Sequence, residues 1–216
     1  PNAGVTQEQR TEATIDAVRE AAKAGNGEVV LVGHSLGGLT ISPVAEAIPD
    51  ELRAVVYLTA FLLPNGMVAG EMIGHEIMAD AEVPPLFMAD PEVVGALRMD
   101  TGSDDPGYVS KAKSAFYADL TDEQLATAFS RLHCDEPAAV AGVPSNITAD
   151  RFGTVERHYI RCAQDRAIVA EGQDLMVSLV DEAIGGTTTV HNMDASHSPF
   201  YSNPVGLAAI LASIAS

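Results

Sequence analysis

The stretch that decides the fold is VVLVGHSLGGLT, residues 29–40. It begins as an apolar, β-branched run, passes through a serine framed by glycines, and continues into a segment with helical character. A short apolar run without polar alternation is typical of a strand buried on both faces, so such a strand is predicted over residues 28–32. A helix is predicted over residues 36–47, with a bend at Pro43. Ser35 lies at the junction between them and is a candidate nucleophile.

Residues 33–37, GHSLG, match the G-x-S-x-G pattern of a nucleophile elbow. In such an elbow the serine takes a strained backbone conformation at a sharp strand-to-helix turn, and its neighbours must be small to avoid clashes. The hydroxyl then projects beyond the carboxyl end of the sheet, where α/β sheets bind ligands. We expect the amide of Leu36, near the helix N-terminus, to donate to a developing oxyanion. A structural turn serine is the alternative, and the strand-to-helix context favours the nucleophile.

The segments on both sides of the motif alternate between helix and strand. Helices are predicted over residues 6–24, 168–184 and 204–215, and strands over residues 53–61, 155–162 and 187–193. A strand–helix–strand order implies right-handed crossovers and therefore a parallel sheet. The sequence predicts one α/β domain.

The middle of the chain has a different character. From residue 62 to about residue 152, proline, glycine and acidic residues interrupt short helical fragments, and no buried-strand run is evident. The clearest helix is predicted over residues 121–132, where Thr121 is a suitable N-cap. This stretch is interpreted as a helical insertion of about ninety residues in the α/β domain.

Composition limits the class of partner. The chain has 216 residues, 47% of them hydrophobic, and a formal net charge of −18. This charge repels nucleic acid phosphates and anionic membrane surfaces, so neither partner is expected. There is no apolar run of about 18 residues and no basic-then-apolar leader pattern at the start. Two cysteines cannot form a disulfide framework, and a cytoplasmic location is the expectation.

A nucleophilic serine needs a base, and the base needs an orienting carboxylate. The loop after the strand at 187–193 contains His197, and the loop after the strand at 155–162 contains Asp165. Because these strands and the one before Ser35 are predicted to be parallel, all three side chains belong to the same edge of the sheet. Structural or surface roles are the default for the other histidines, which are His34, His75, His133, His158 and His191.

Two aspartates are candidates for the orienting acid. Asp194 lies three residues before His197 and is able to contact it locally. Asp165 comes from a neighbouring strand's loop and approaches the ring more easily from the side opposite the serine. The sequence favours Asp165, although pairing of Asp165 with Arg166 or Arg161 is an alternative.

Four segments carry a resemblance to a known family: GHSLGG (33–38), YLTAFLLP (57–64), YIRCAQDRAI (159–168) and DASHSPFYSNP (194–204). They resemble the α/β-hydrolase branch that contains plant methylesterases, hydroxynitrile lyases and their bacterial relatives. The similarity runs from about Val5 to the C-terminus. It implies that Ser35, Asp165 and His197 form a catalytic triad. It also implies a mostly parallel sheet flanked by helices, with core residues 1–60 and 153–216 and a helical cap at 61–152. Phe61, at the mouth of its strand, is the nearest candidate for a wall of the substrate pocket.

The sequence departs from this family in two ways. Hydroxynitrile lyases of the branch have a lysine directly after the catalytic histidine, whereas this chain has Ser198. Family members also begin with strands and a His-Gly loop that precede the helix at 6–24, and this loop normally supplies the second oxyanion donor. Without them, the strand at 28–32 is expected to be a sheet edge. We expect upstream residues or another polypeptide, such as a second copy of the chain, to cover it.

The predicted function is that of a serine esterase, which cleaves a small carboxylic ester without a metal or organic cofactor. Ser35 is expected to attack the carbonyl carbon, His197 to transfer the proton, and Asp165 to hold the imidazole. The alternatives are a non-catalytic, ligand-binding member of the same fold, and lyase or cyclase chemistry under the same cap.

Overall fold

The first half of the α/β core follows the predicted order. A computed structural model describes residues 4–216, so the first three residues of the predicted core range lie outside the described residues. The elements are α1 (Gln7–Ala24), β1 (Val30–Ser35), α2 (Gly38–Ala47) and β2 (Ala54–Ala60). Thr6 caps α1 reciprocally with Gln9, since each side chain accepts the other residue's backbone N–H. Pro43 lies inside α2, as predicted.

Short elements fill the insertion. They are α3 (Ala69–Ile73), α4 (Pro91–Val94), β3 (Ala96–Arg98), α5 (Pro106–Phe116), α6 (Asp122–Phe129), β4 (Asp135–Pro137) and α7 (Ala138–Ala141). The helix predicted over 121–132 is confirmed as α6, with Thr121 as its cap, but it ends earlier than predicted, at Phe129. The sequence did not reveal the antiparallel pair β3–β4, because three-residue strands are too short for a periodic signal.

The chain then returns to the α/β pattern. The elements are β5 (Glu156–Cys162), α8 (Ala170–Ile184), β6 (Thr189–Met193), α9 (Pro199–Ser202) and α10 (Pro204–Ala215). The strands β1, β2, β5 and β6 form one parallel sheet in the order β1-β2-β5-β6. The predicted fold class, a parallel sheet flanked by helices, is confirmed. Because the strands are parallel, the loops after β1, β5 and β6 meet at one edge of the sheet.

The sheet is packed on both faces. Every residue of β2 is buried, and its side chains alternate between two cores. Val55 and Tyr57 belong to the main core with residues of α2 and α8. Val56 and Leu58 belong to a second core that α10 covers. Within residues 4–216, no helix combines the length and the apolar character needed to cross a membrane.

The prediction that the strand after α1 is buried on both faces is wrong. In the described part of the chain β1 is an edge strand with only one buried residue, and Val32 is 39% exposed. The apolar run of β1 resembles that of β2, but burial on both faces also depends on the neighbours of a strand. The expectation that residues 28–32 lie at a sheet edge agrees with the structure. That another segment covers this edge stays a prediction.

Candidate active site

Ser35 is the last residue of β1 and lies in a strained turn. Its φ angle is 54°, which is uncommon for a residue other than glycine. The pairing with β2 shifts register between His34 and Ser35, and the amide of Phe61 donates to the Ser35 carbonyl oxygen at 3.1 Å. A Cβ atom on Gly33 would lie 2.9 Å from the carbonyl oxygen of Gly37, so the turn requires a glycine there. This geometry has the strain that the elbow motif predicts.

His197 and Asp165 form a buried pair at the carboxyl edge of the sheet. The Nδ1 atom of His197 lies 2.7 Å from Oδ2 of Asp165, and the two side chains are 2% and 0% exposed. Asp194 instead accepts a hydrogen bond from Nε2 of Gln164 at 2.6 Å. The structure therefore brings Asp165, and not Asp194, to the imidazole ring.

Four donors surround the Asp165 carboxylate. Oδ1 accepts the backbone N–H groups of Ala167 and Ile168, at 2.7 and 3.0 Å. Oδ2 accepts the hydroxyl of Thr59 in addition to the ring of His197. Hydrogen bonds of this kind satisfy a buried carboxylate and fix its orientation.

Thr59 is a site residue that the sequence did not reveal. It is fully buried and has a φ angle of 36°, which for a β-branched residue is a genuine outlier. Strain of this kind persists only where the surrounding structure imposes it, and it concentrates at functional sites. The only sequence signal is its position one residue before the end of β2, the strand between those that lead to Ser35 and Asp165.

His34 supports the loop that carries His197. Its Nε2 atom lies 2.8 Å from the carbonyl oxygen of His197, and the two ring centroids are 4.5 Å apart. Burial, with a smaller contribution from neighbouring His197, lowers the pKa of His34 to about 3. The ring is therefore neutral at pH 7, and its Nε2 carries the proton that is donated to the carbonyl. This agrees with the structural role taken as the default for His34.

A cavity of about 300 Å³ opens onto Ser35 and His197. Its aromatic walls are Tyr108, Phe116, Tyr117, Phe129, Phe200 and Tyr201. The first four belong to the insertion and the last two to α9. Ser35 and His197 both line this cavity, and among the described residues no hydrogen bond joins the Ser35 hydroxyl to the His197 ring. Such bonds are often long in proteins without bound substrate.

Phe61 does not have the position that the sequence predicts. It is 5% exposed, packs in the main core and is not among the residues that line the cavity. The chain leaves β2 at Ala60, and the Phe61 backbone is held against the elbow, so the side chain turns into the core. Phe116 provides the aromatic wall instead, and its ring centroid lies 5.5 Å from that of His197.

The backbone amide of Leu36 is the predicted oxyanion donor. Within residues 4–216 it has no hydrogen-bond partner, and it precedes α2 by two residues.

No group of three His, Cys, Asp or Glu residues in this range is placed to hold a metal ion. A larger hollow of about 600 Å³, between α1 and residues 139–146, contains neither Ser35 nor His197.

The sheet is parallel, a strained serine ends one strand, and a histidine–aspartate pair follows two others. This arrangement is typical of the α/β-hydrolase class. The chain belongs to the alpha/beta hydrolase family, whose model matches residues 2–210.

Similar proteins indicate the branch of the alpha/beta hydrolase family. The chain is 26% identical over 193 residues to Putative methylesterase 14, chloroplastic, of Arabidopsis thaliana, covering 87% of this chain and 52% of the relative. It is 29% identical over 201 residues to Methylesterase 7 of the same plant, covering 87% and 69%. The solved structure of a pyrethroid hydrolase from Sphingobium faniae JZ-2 matches with a TM-score of 0.81 at 25% identity, covering 98% of this chain and 78% of that one. The predicted resemblance to plant methylesterases and bacterial esterases is confirmed.

The chain spans only part of these relatives. It covers about half of the first and about two thirds of the second. Their activities are those of longer proteins, and they bear on this chain only as a basis for proposals.

Proposed function

We propose that the protein is a serine hydrolase that cleaves small carboxylic esters through an acyl-enzyme. The observation that carries the proposal is that His197, which is paired with the buried Asp165, lines the same cavity as the strained Ser35. Relatives named as methylesterases and as a pyrethroid hydrolase support the reaction class.

Each residue has a role in the proposed reaction. The Ser35 hydroxyl attacks the ester carbonyl carbon while Nε2 of His197 takes its proton, and the imidazolium then protonates the departing alcohol. Asp165 holds Nδ1 protonated and stabilises the imidazolium, and the Leu36 amide donates to the oxyanion. A water molecule, activated by His197, then releases the acid and regenerates the serine. The reaction needs no cofactor.

The cavity indicates the size and polarity of the substrate. A volume of about 300 Å³ with aromatic walls suits a compact apolar acyl or alcohol group. Ser198, which also lines the cavity, stands where cyanohydrin lyases of this branch have a lysine. We therefore propose esters rather than cyanohydrins as substrates.

Hydrolysis of p-nitrophenyl acetate tests the reaction class. Wild-type protein is expected to turn over the ester, and Ser35→Ala to reduce the rate to background. The control Ser213→Ala, at an exposed position of α10 outside the cavity, is expected to keep the wild-type rate. A fluorophosphonate probe, followed by mass spectrometry, is expected to label wild-type protein on Ser35.

The outcomes separate the alternatives. Equal ester hydrolysis by wild-type protein and Ser35→Ala would overturn the proposal. Absence of both turnover and labelling would identify a non-catalytic member of the fold. Labelling without hydrolysis of any ester in a panel would show that Ser35 is activated for another reaction, such as lyase or cyclase chemistry.

A further inference from the structure

The loop that carries His197 is held by other segments of the chain. Residues 194–198 have no regular secondary structure, so contacts from other segments must hold the base in place. Several of these contacts come from the α/β core: the Gln164 backbone N–H donates to the Ala195 carbonyl at 3.0 Å and its side chain donates to Asp194 at 2.6 Å. Nε2 of His34 donates to the His197 carbonyl, and Asp165 accepts from the ring.

Asp119 makes a further contact, and this one comes from the insertion. Its Oδ2 accepts the backbone N–H of Ser196 at 2.9 Å, and its Oδ1 accepts the Ser196 hydroxyl. Burial raises the pKa of the Asp119 carboxyl, but the hydrogen bonds from Ser196, with smaller contributions from Ser202 and its own backbone N–H, together outweigh burial and lower the pKa below its ordinary value. The contact is therefore a pair of charge-assisted hydrogen bonds at neutral pH.

Ser196 depends on this contact because it is fully buried. Without the Asp119 carboxylate, its N–H and hydroxyl would be left without a partner away from water. Proteins rarely tolerate such groups, so the loop is expected to shift until water or another acceptor reaches them. His197 is the next residue, and a displacement of about 1 Å at a catalytic group can reduce the rate on the order of 100-fold.

The position of Asp119 links this anchor to the substrate cavity. It lies in the connection between α5 and α6, three residues after Phe116, whose ring packs against His197 and lines the cavity. The same short segment of the insertion therefore forms a cavity wall and holds the loop of the base.

We propose that Asp119 is a positioning residue, which holds the loop of His197 from the insertion. The position of the base therefore depends on how the connection between α5 and α6 packs over the cavity. The proposal rests on the proposed serine hydrolase function. Asp119 does not touch the reacting atoms and acts on the base through its hydrogen bonds to Ser196.

The test compares three variants of the full chain: Asp119→Ala, Asp119→Asn, and the control Asp122→Ala. Asp122 lies in the same segment, is exposed and pairs with Lys113, so its replacement removes the same charge without touching the loop. With p-nitrophenyl acetate, Asp119→Ala is expected to lower kcat about 10- to 100-fold with KM within about twofold. Asp119→Asn should be intermediate because it retains one acceptor, and Asp122→Ala should match wild type.

A proton NMR spectrum gives a readout that does not depend on turnover. The imidazole proton between His197 and Asp165 is expected at low field in wild type and Asp122→Ala, and broadened or lost in Asp119→Ala. The variant Ser196→Ala completes a double-mutant cycle. Its effect on kcat is expected to be non-additive with that of Asp119→Asn, because both act on the same pair of hydrogen bonds.

The two proposals fail in different ways. If Ser35→Ala abolishes activity while Asp119→Ala and Asp122→Ala have the same kcat, Asp119 has no positioning role. If Ser35→Ala retains activity, the proposed function is wrong, and the imidazole resonance alone decides the role of Asp119. If Asp119→Ala does not fold, Asp119→Asn and Ser196→Ala decide it: wild-type kcat and an unchanged resonance in both would overturn the proposal.

Discussion

Replacing Asp165 with asparagine is expected to abolish most of the activity while leaving the protein folded. The amide has the shape of the carboxylate, and its oxygen still accepts the two backbone N–H groups of Ala167 and Ile168. The other side of the group becomes an NH₂ that faces Thr59 and His197. An NH₂ group cannot accept the Nδ1 proton, so the ring is expected to switch to the tautomer that carries its proton on Nε2.

That tautomer cannot accept the proton of Ser35. By analogy with other Ser-His-Asp enzymes, the expected loss in kcat is on the order of 10⁴-fold, or about 5.4 kcal/mol at about 1.36 kcal/mol per factor of ten. The cost in stability is that of a weakened charge-assisted hydrogen bond, about 1.5–3 kcal/mol, against the 5–15 kcal/mol typical of native proteins.

The assay is the hydrolysis of p-nitrophenyl acetate at pH 7, with urea unfolding of each variant in parallel. Asp194→Asn is the matched control, because Asp194 lies three residues before His197 but hydrogen-bonds Gln164. It is expected to stay within a few-fold of wild type. If Asp194→Asn were the more damaging substitution, or if Asp165→Asn kept its activity, the assignment of the acid would be wrong.

Three further predictions concern the surroundings of the site. Thr59→Val keeps the β-branch but removes the hydroxyl that donates to Asp165, so urea unfolding should show a loss of about 1.5–3 kcal/mol in unfolding free energy, and Thr59→Ser a smaller loss. Equal stability of wild type and both variants would contradict this prediction. Phe61→Ala should cost about 3–5 kcal/mol of unfolding free energy without changing the order of preference among esters in a panel. Phe116→Ala should change that order with little effect on the melting temperature. The opposite pattern would show that Phe61 is a wall of the pocket. Gly38→Ala should cost about 3 kcal/mol or more, because its Cβ atom would overlap with the Phe61 carbonyl oxygen. A melting temperature equal to that of wild type would refute this prediction.

The parts of the site that local sequence encodes were predictable. An apolar run predicts a strand, a glycine-framed serine predicts a sharp turn after it, and parallel strands end at the same edge of the sheet. These statements together bring Ser35, Asp165 and His197 to one edge without knowledge of any long-range contact. The choice between Asp165 and Asp194 also followed from topology, because a neighbouring strand's loop reaches the far side of the ring.

The contacts that hold these residues in place were not predictable. Thr59 reaches Asp165 across 106 residues of sequence, and Asp119 reaches Ser196 across 77. Threonine in a strand and aspartate in a polar insertion are ordinary in themselves, and only the folded chain shows where their oxygen atoms lie. The pocket walls were hidden for the same reason, since the packing of short helices over the sheet has no periodic signature.

The two errors of prediction have a common cause. For Phe61, proximity in sequence to the end of a strand was taken as proximity to the cavity. For β1, an apolar composition was taken as burial on both faces. In each case the property depends on neighbours, because a side chain lines a cavity or is buried only through what packs against it.

The division of the site between core and insertion changes what an inserted segment is expected to do. The α/β core provides the strained turn at Ser35, the donors around Asp165 and the anchors that Gln164 and His34 make on the loop of His197. The insertion provides most of the aromatic cavity wall and, through Asp119, a further anchor on that loop. If the insertion only selected substrates, substitutions in it would change KM and ester preference and leave kcat alone. Because Asp119 is bound to the residue before the base, a substitution there should lower kcat for every ester, while one at Phe116 should change the preference among esters. Phe116 and Asp119 are three residues apart, yet the first substitution should affect ester preference and the second kcat. An insertion that only covers the cavity would not show the effect on kcat, whereas one that also positions the base would.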